Sequence, residues 1–248
     1  MTNVVRYAID MYVKNIRMLL LFSLAFIVAF LIPIFASFPT FTDLGGIFIR
    51  SASTLQNLNP LTTIIIVVAV FLSTLFLSFA MVSINVLVKH SRTFSGISRE
   101  VLKGLENYTG LVFATLIIYT VIVALVGLFT QPTGHSALIT SIVGLVLAPF
   151  FFYAPASIVI DDSKILRAMK KSAVFFIKRF NYFLLWLVIG IALLSLVDEL
   201  FTLIGGQGAL GVEFSGIALL VFNSLFIIPF LVVLQSEFYM KRFPLLKS

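Results

Sequence analysis

The stretch FFYAPASIVIDDSKILRAMKKSAVFFIKRF, residues 151–180, holds three kinds of sequence in one line. An apolar run meets two adjacent carboxylates, Asp161 and Asp162, and a segment with six cations follows. The acid pair reads as a catalytic site, an ion site, or the punctuation between a membrane helix and a surface helix. The rest of the chain decides among these.

The 248 residues are 60% hydrophobic and 11% charged, with a mean hydropathy of +1.15. A soluble domain carries about 25% charged residues, so this chain cannot cover a water-facing surface. Six apolar runs reach the roughly 20 residues a helix needs to cross the hydrocarbon core. They are Met18–Phe38, Leu61–Val88, Gly110–Phe129, Ala137–Ile160, Tyr182–Ile204 and Gly216–Phe238. None alternates with period two, so they read as helices and not as barrel strands. The first run is longer than the apolar part of a signal peptide, and no clear cleavage site follows it.

Lys and Arg near span ends are retained in the cytoplasm. With six spans, only Arg50 of the 17 Lys and Arg falls on the outer side. Both termini are therefore expected in the cytoplasm, in a multi-pass protein of the cell membrane. The chain has no cysteine, which excludes disulfides and thiolate chemistry.

Wound at roughly 100° per residue, Lys164 to Phe180 places Ile165, Leu166, Met169, Ala173, Phe176, Ile177 and Phe180 on one broad face. Arg167, Lys170, Lys171 and Lys178 gather opposite. That division marks a helix lying in the membrane interface. Val4–Arg17, with Arg6, Lys14 and Arg17, and Ile97–Tyr108, with Lys103, repeat the order less cleanly. The fold expected is an all-α polytopic membrane protein in a single domain, residues 1–248. Its six helices form three hairpins, units 1–90, 91–162 and 163–248, each preceded by a basic amphipathic interfacial helix. An offset of 74 residues aligns Asn107-Tyr108 with Asn181-Tyr182 and Pro155 with Pro229.

In this frame Asp161, Asp162 and Ser163 read as the cap and turn before the third interfacial helix, carboxylates beside its first free amides. Pro149, Pro155 and Pro229 each remove a backbone donor and mark helix kinks. No ionisable residue falls at mid-membrane, which argues against a proton pump or a charged channel ring. The glycine groups DLGG and GGQG lack the lysine and hydroxyl of a phosphate loop and read as turns. No metalloprotease, rhomboid-like or phosphatase motif is present. No enzyme activity and no cofactor are expected.

The run PASIVIDDSKILRAMKKSAVFF resembles a pattern in a broad group of uncharacterised prokaryotic membrane proteins, which includes the membrane domain fused to some glycerophosphodiester phosphodiesterases. Pro155, Asp161, Ala168, Lys171 and Ser172 carry the match, and the opening RYAIDMYVKNIRMLLLF is similar in style. The acidic position is Asp where that pattern more often has Glu. The soluble phosphodiesterase domain is absent, so the resemblance implies a membrane domain in an accessory or anchoring role and no activity.

The leading functional expectation is a non-catalytic accessory, scaffold or lipid-interacting module. Its basic cytoplasmic collar of Arg6, Lys14, Arg17, Lys103, Arg167, Lys170, Lys171 and Lys178 would meet anionic lipids or a membrane or cytoplasmic protein partner. The alternative is a transporter or permease subunit for an apolar or amphiphilic, lipid-like solute. Nucleic-acid binding is not expected despite a pI of 9.8, because topology accounts for the cations.

Overall fold

The computed structural model describes residues 2–35, 60–91, 97–133, 135–205 and 209–241. The DLGG segment, residues 206–208 of GGQG, Arg50, Arg92, Arg242 and Lys247 lie outside them. The described residues are helical apart from short turns. The helices are α1 (Thr2–Lys14), α2 (Ile16–Phe35), α3 (Pro60–His90), α4 (Ile97–Thr130), α5 (Ser136–Phe151) and α6 (Ala154–Ile160). They continue with α7 (Ile165–Lys178), α8 (Phe180–Gly205), α9 (Ala209–Phe222) and α10 (Ile228–Met240).

Among the described residues, six helical segments are long and apolar enough to cross a membrane. They are Ile16–Pro33, Thr63–His90, Val101–Thr133, Leu138–Ile160, Phe180–Leu203 and Gly216–Met240. The chain is an all-α, multi-pass membrane protein. Leu, Ile, Val and Phe dominate these runs and satisfy two demands together. Their side chains suit hydrocarbon, and a helix pairs every backbone group without help from water.

Two boundaries differ from the sequence reading. The surface segment Ile97–Tyr108 is not a separate helix, because α4 runs unbroken from Ile97 to Thr130. No proline or cap interrupts it, and Gly110 alone costs a helix only about 1 kcal/mol. Span four, by contrast, is two helices, α5 and α6, parted at Phe152 and Tyr153.

Consecutive spans pack on one another: α2 on α3, α4 on α5, and α8 on α9. The second members of these pairs meet in the middle, where α3, α6 and α10 touch each other. Spans four and six are the most enclosed, with 44% and 56% of their windows buried, against 17% for span three. α1 lies on α10, the base of α4 on α3, and α7 on α5 and α6. At Gly104 of α4 an added Cβ would fall 2.5 Å from Val86 Cγ2, so this crossing depends on a missing side chain. The end of the bundle that carries α1, α7 and the C-terminal ends of α3, α6 and α10 is called its basic end below.

Candidate functional site: the polar clasp at the basic end

The turn at 161–163 closes α6 and does not cap α7. Asp161 occupies the C-cap of α6, and Asp162 has φ of 51°, in the left-handed region. The Ser163 amide donates to the Ile158 carbonyl at 3.2 Å, which completes a Schellman-type stop usually built on glycine. Aspartate is one of the few other residues that enter this region. The N-cap of α7 is Lys164, which forms no side-chain cap bond. The expected capping role of Asp161, Asp162 and Ser163 is thereby corrected, while the expected turn is present. Carboxylates at a helix C-terminus oppose its dipole, so they require cations, and the fold supplies them.

Asp161 turns inward. Its Oδ2 lies 2.6 Å from Lys171 Nζ on α7 and accepts from the Tyr239 hydroxyl of α10 at 2.9 Å. Lys171 also donates to Ser163 Oγ at 2.8 Å. Asp162 turns the other way, with Lys89 Nζ of α3 at 3.3 Å and a hydrogen bond from the Tyr108 hydroxyl of α4. Lys89 also donates to the Val159 carbonyl at 2.7 Å, supplying one carbonyl in the last turn of α6 with a donor. Two adjacent residues thus tie α3, α4, α7 and α10 to the end of α6.

The proline-interrupted helices are mended from neighbouring elements. In a continuous helix the Tyr153 amide would donate to the Pro149 carbonyl. Instead it donates to Ser172 Oγ at 3.0 Å, and the same hydroxyl donates to the Pro149 carbonyl at 2.7 Å. Ser172 inserts itself into the opened turn. The Phe152 carbonyl, at the break, accepts from Gln235 Nε2 of α10. In span six the residues Asn223–Ile227 widen into a π-turn just before Pro229, with the Ile228 amide bonded to the Asn223 carbonyl. There Tyr12 of α1 donates its hydroxyl to the Phe226 carbonyl at 3.1 Å, and burial pushes its phenol up to about 12. Trp186 Nε1 of α8 donates to the Leu231 carbonyl at 2.8 Å.

Between α3 and α10, Ser236 Oγ donates to Asn85 Oδ1 at 2.7 Å. Glu237 is buried on the same helix. Both side-chain amide atoms of Asn223 and the hydroxyls of Tyr153 and Ser157 are buried without a hydrogen-bond partner among the described residues. No group of three His, Asp or Glu that could hold a metal occurs among the described residues.

The structure divides the sequence-selected residues. Arg6, Lys14, Arg17, Lys103, Arg167, Lys170 and Lys178 are exposed. Lys171 is not a collar residue, because Asp161 and Ser163 hold it half-buried. Pro149 lies within α5, while Pro155 and Pro229 stand in the first turns of α6 and α10, after the irregular backbone. A proline at that position needs no amide partner. Sequence reading missed Lys89, Tyr108, Ser172, Gln235 and Tyr239 as members of the clasp. A lysine so close to the end of a long apolar span was the available signal for Lys89.

Comparison with protein-family models, curated proteins and solved structures gave no match.

Proposed function

We propose that the chain is a non-catalytic membrane module whose basic end lies in the cytoplasm and engages the anionic surface of the cell membrane. Both termini would then be cytoplasmic. The observation that carries this reading is the mixed outer face of the surface helices. Exposed Arg6, Lys14, Arg167, Lys170 and Lys178 stand beside exposed Tyr7, Ile9, Val13, Leu166 and Ile177 on α1 and α7. Leu166 and Ile177 are 80% and 73% exposed. The bundle takes Ala168, Ser172, Ala173, Phe175 and Phe176 of α7, of which only Ala173 and Phe176 belong to the apolar face read from the sequence, and the exposed part of that face flanks the cations. Apolar groups beside cations suit the boundary between acyl chains and phosphates. Each cation near an anionic surface contributes about 1 kcal/mol.

The interior clasp supports a scaffold role, since it fixes the helices to which the surface segments are attached. The resemblance to a membrane domain that accompanies a separate phosphodiesterase fits an accessory part. The test is the lipid composition retained around the protein in mixed phosphatidylcholine–phosphatidylglycerol nanodiscs. The variant R6Q/K14Q/R167Q/K170Q is expected to lose most of the phosphatidylglycerol enrichment. Equal enrichment in both proteins would defeat the proposal.

One observation favours a second reading, a transporter for a lipid-like solute. Interrupted helices near a bundle centre can form substrate sites, and the buried Asn223 amide lacks a partner in one such interruption. Against it, Ser172, Gln235 and Tyr12 already fill the opened turns. A dithionite assay of fluorescent-lipid movement in proteoliposomes decides the matter. Movement that is absent, or unchanged by Pro155→Ala and Pro229→Ala, removes this reading.

A further inference from the structure

Phe152 and Tyr153, the two residues that part α5 from α6, are both covered from α7. Phe175 meets the Tyr153 ring edge to face with centroids 4.8 Å apart, and Phe176 meets Phe152 in the same manner at 6.3 Å. Ser172, one turn back, holds the Tyr153 amide and the Pro149 carbonyl. Its neighbour Lys171 holds Asp161 and Ser163 at the other end of α6. A surface helix thus lies along α6 and bonds to the backbone groups that the break in span four leaves open.

The opposite face of α7 looks outward. At about 3.6 residues per turn, Arg167, Lys170 and Val174 stand roughly half a turn from Ser172, and all three are exposed. The inner bonds of Ser172 and Lys171 fix the rotation of α7 about its own axis, and that rotation decides which side chains face out. Turning the helix would carry Arg167 and Lys170 from the surface and withdraw Ser172 from the break in one motion. α7 has 14 residues and no side-chain cap at Lys164. An isolated helix of that length is marginal in water, so its hold depends on these contacts. A ligand shifts an equilibrium by its differential affinity for the two states. A surface that binds the outer cations in the docked rotation therefore tightens the inner bonds.

We propose that α7 is a strap that closes the break in span four when an anionic lipid surface holds its outer face. The proposal rests on the anionic-surface reading and adds the regulation of that site. Lipid bound outside sets how firmly the Tyr153 amide is held inside.

The test is hydrogen exchange of the full chain, resolved at single amides, in phosphatidylcholine nanodiscs with and without phosphatidylglycerol. The Tyr153 amide is expected to exchange about fivefold more slowly with phosphatidylglycerol present. The amide of Ala80, buried in α3, is expected to keep one rate. R167Q/K170Q changes exposed residues only and should make the Tyr153 rate the same in both lipids. Ser172→Ala should exchange rapidly in both. Equal Tyr153 rates in the unaltered protein, with phosphatidylglycerol still enriched around it, would overturn the strap and leave the surface reading standing. Equal rates with no enrichment would overturn both. Equal slowing at Ala80 would mean that the lipid stabilises the whole bundle, and a lipid dependence that persists in R167Q/K170Q would mean that α7 is not the route. Either result would also overturn the strap.

Discussion

Lys171 Nζ stands 2.6 Å from the Asp161 carboxylate, whose side chain is 5% exposed, on the far side of a turn from the 63% exposed carboxylate of Asp162. The two ion pairs are neighbours in sequence and unequal in environment. Removing one partner of a buried pair leaves an uncompensated charge, whereas an exposed pair is screened by water. Lys171→Met is therefore expected to destabilise by about 2–3 kcal/mol, and Asp162→Asn by about 0.5 kcal/mol. Adding Asp161→Asn to Lys171→Met should recover part of the loss. Unfolding of purified protein in mixed detergent–SDS micelles measures all three. A reversed ranking would refute the assignment of Asp161 as the interior member.

Ser172 spans the gap between the Tyr153 amide and the Pro149 carbonyl. In Ser172→Ala both backbone groups lose their partner in an interior with no competing donor. The expected cost is about 2 kcal/mol, much more than an exposed serine would show. The same unfolding measurement should detect it, together with faster amide exchange at Tyr153. A cost below about 0.5 kcal/mol would mean that the opened turn repairs itself.

Gly104 has no room for a side chain, because the obstacle is Val86, a stiff branched residue that is 1% exposed. Gly104→Ala is expected to lose about 1–3 kcal/mol through overpacking, although alanine is the better helix former. Val86→Ala in the same chain should relieve the clash. Stabilisation by Gly104→Ala alone would show that α3 and α4 can separate freely.

Tyr12 gives a pH signature. Its phenol is neutral in the fold and is pushed up from 10.0 to about 12 by burial. Between these values the unfolded chain has released the proton and the folded chain retains it. Stability is thus full below about pH 10 and falls as pH rises toward 12. Tyr12→Phe should flatten that part of the profile and also lose the bond to the Phe226 carbonyl. An identical alkaline decline in the phenylalanine variant would assign the effect to other groups.

Residues 151–180 show where sequence reasoning reached its limit. The end of span four, the turn and the start of α7 follow from local composition, since apolar runs, a polar stop and periodic cations act on their own neighbourhood. The direction in which each aspartate points does not. Asp162 reaches Lys89 because a left-handed turn reverses its carboxylate relative to Asp161, and no period in the sequence encodes that reversal. The same limit hid Lys171, which fits the cationic face of its helix by spacing but is drawn inward by Asp161.

The sequence by itself determined that this is an all-α membrane protein with, among the described residues, six helical segments long and apolar enough to cross a membrane, because hydrocarbon solubility and helix-internal hydrogen bonding are properties of consecutive residues. Only the tertiary structure decided which cations are spent inside and which remain outside. Ser172 with Pro149, Gln235 with Phe152, Tyr12 with Phe226, and Lys241 with Tyr182 are partnerships between separate elements. Their physical reason is the proline breaks and chain ends at the bundle centre and its basic end, which leave polar groups that only residues from other helices can reach.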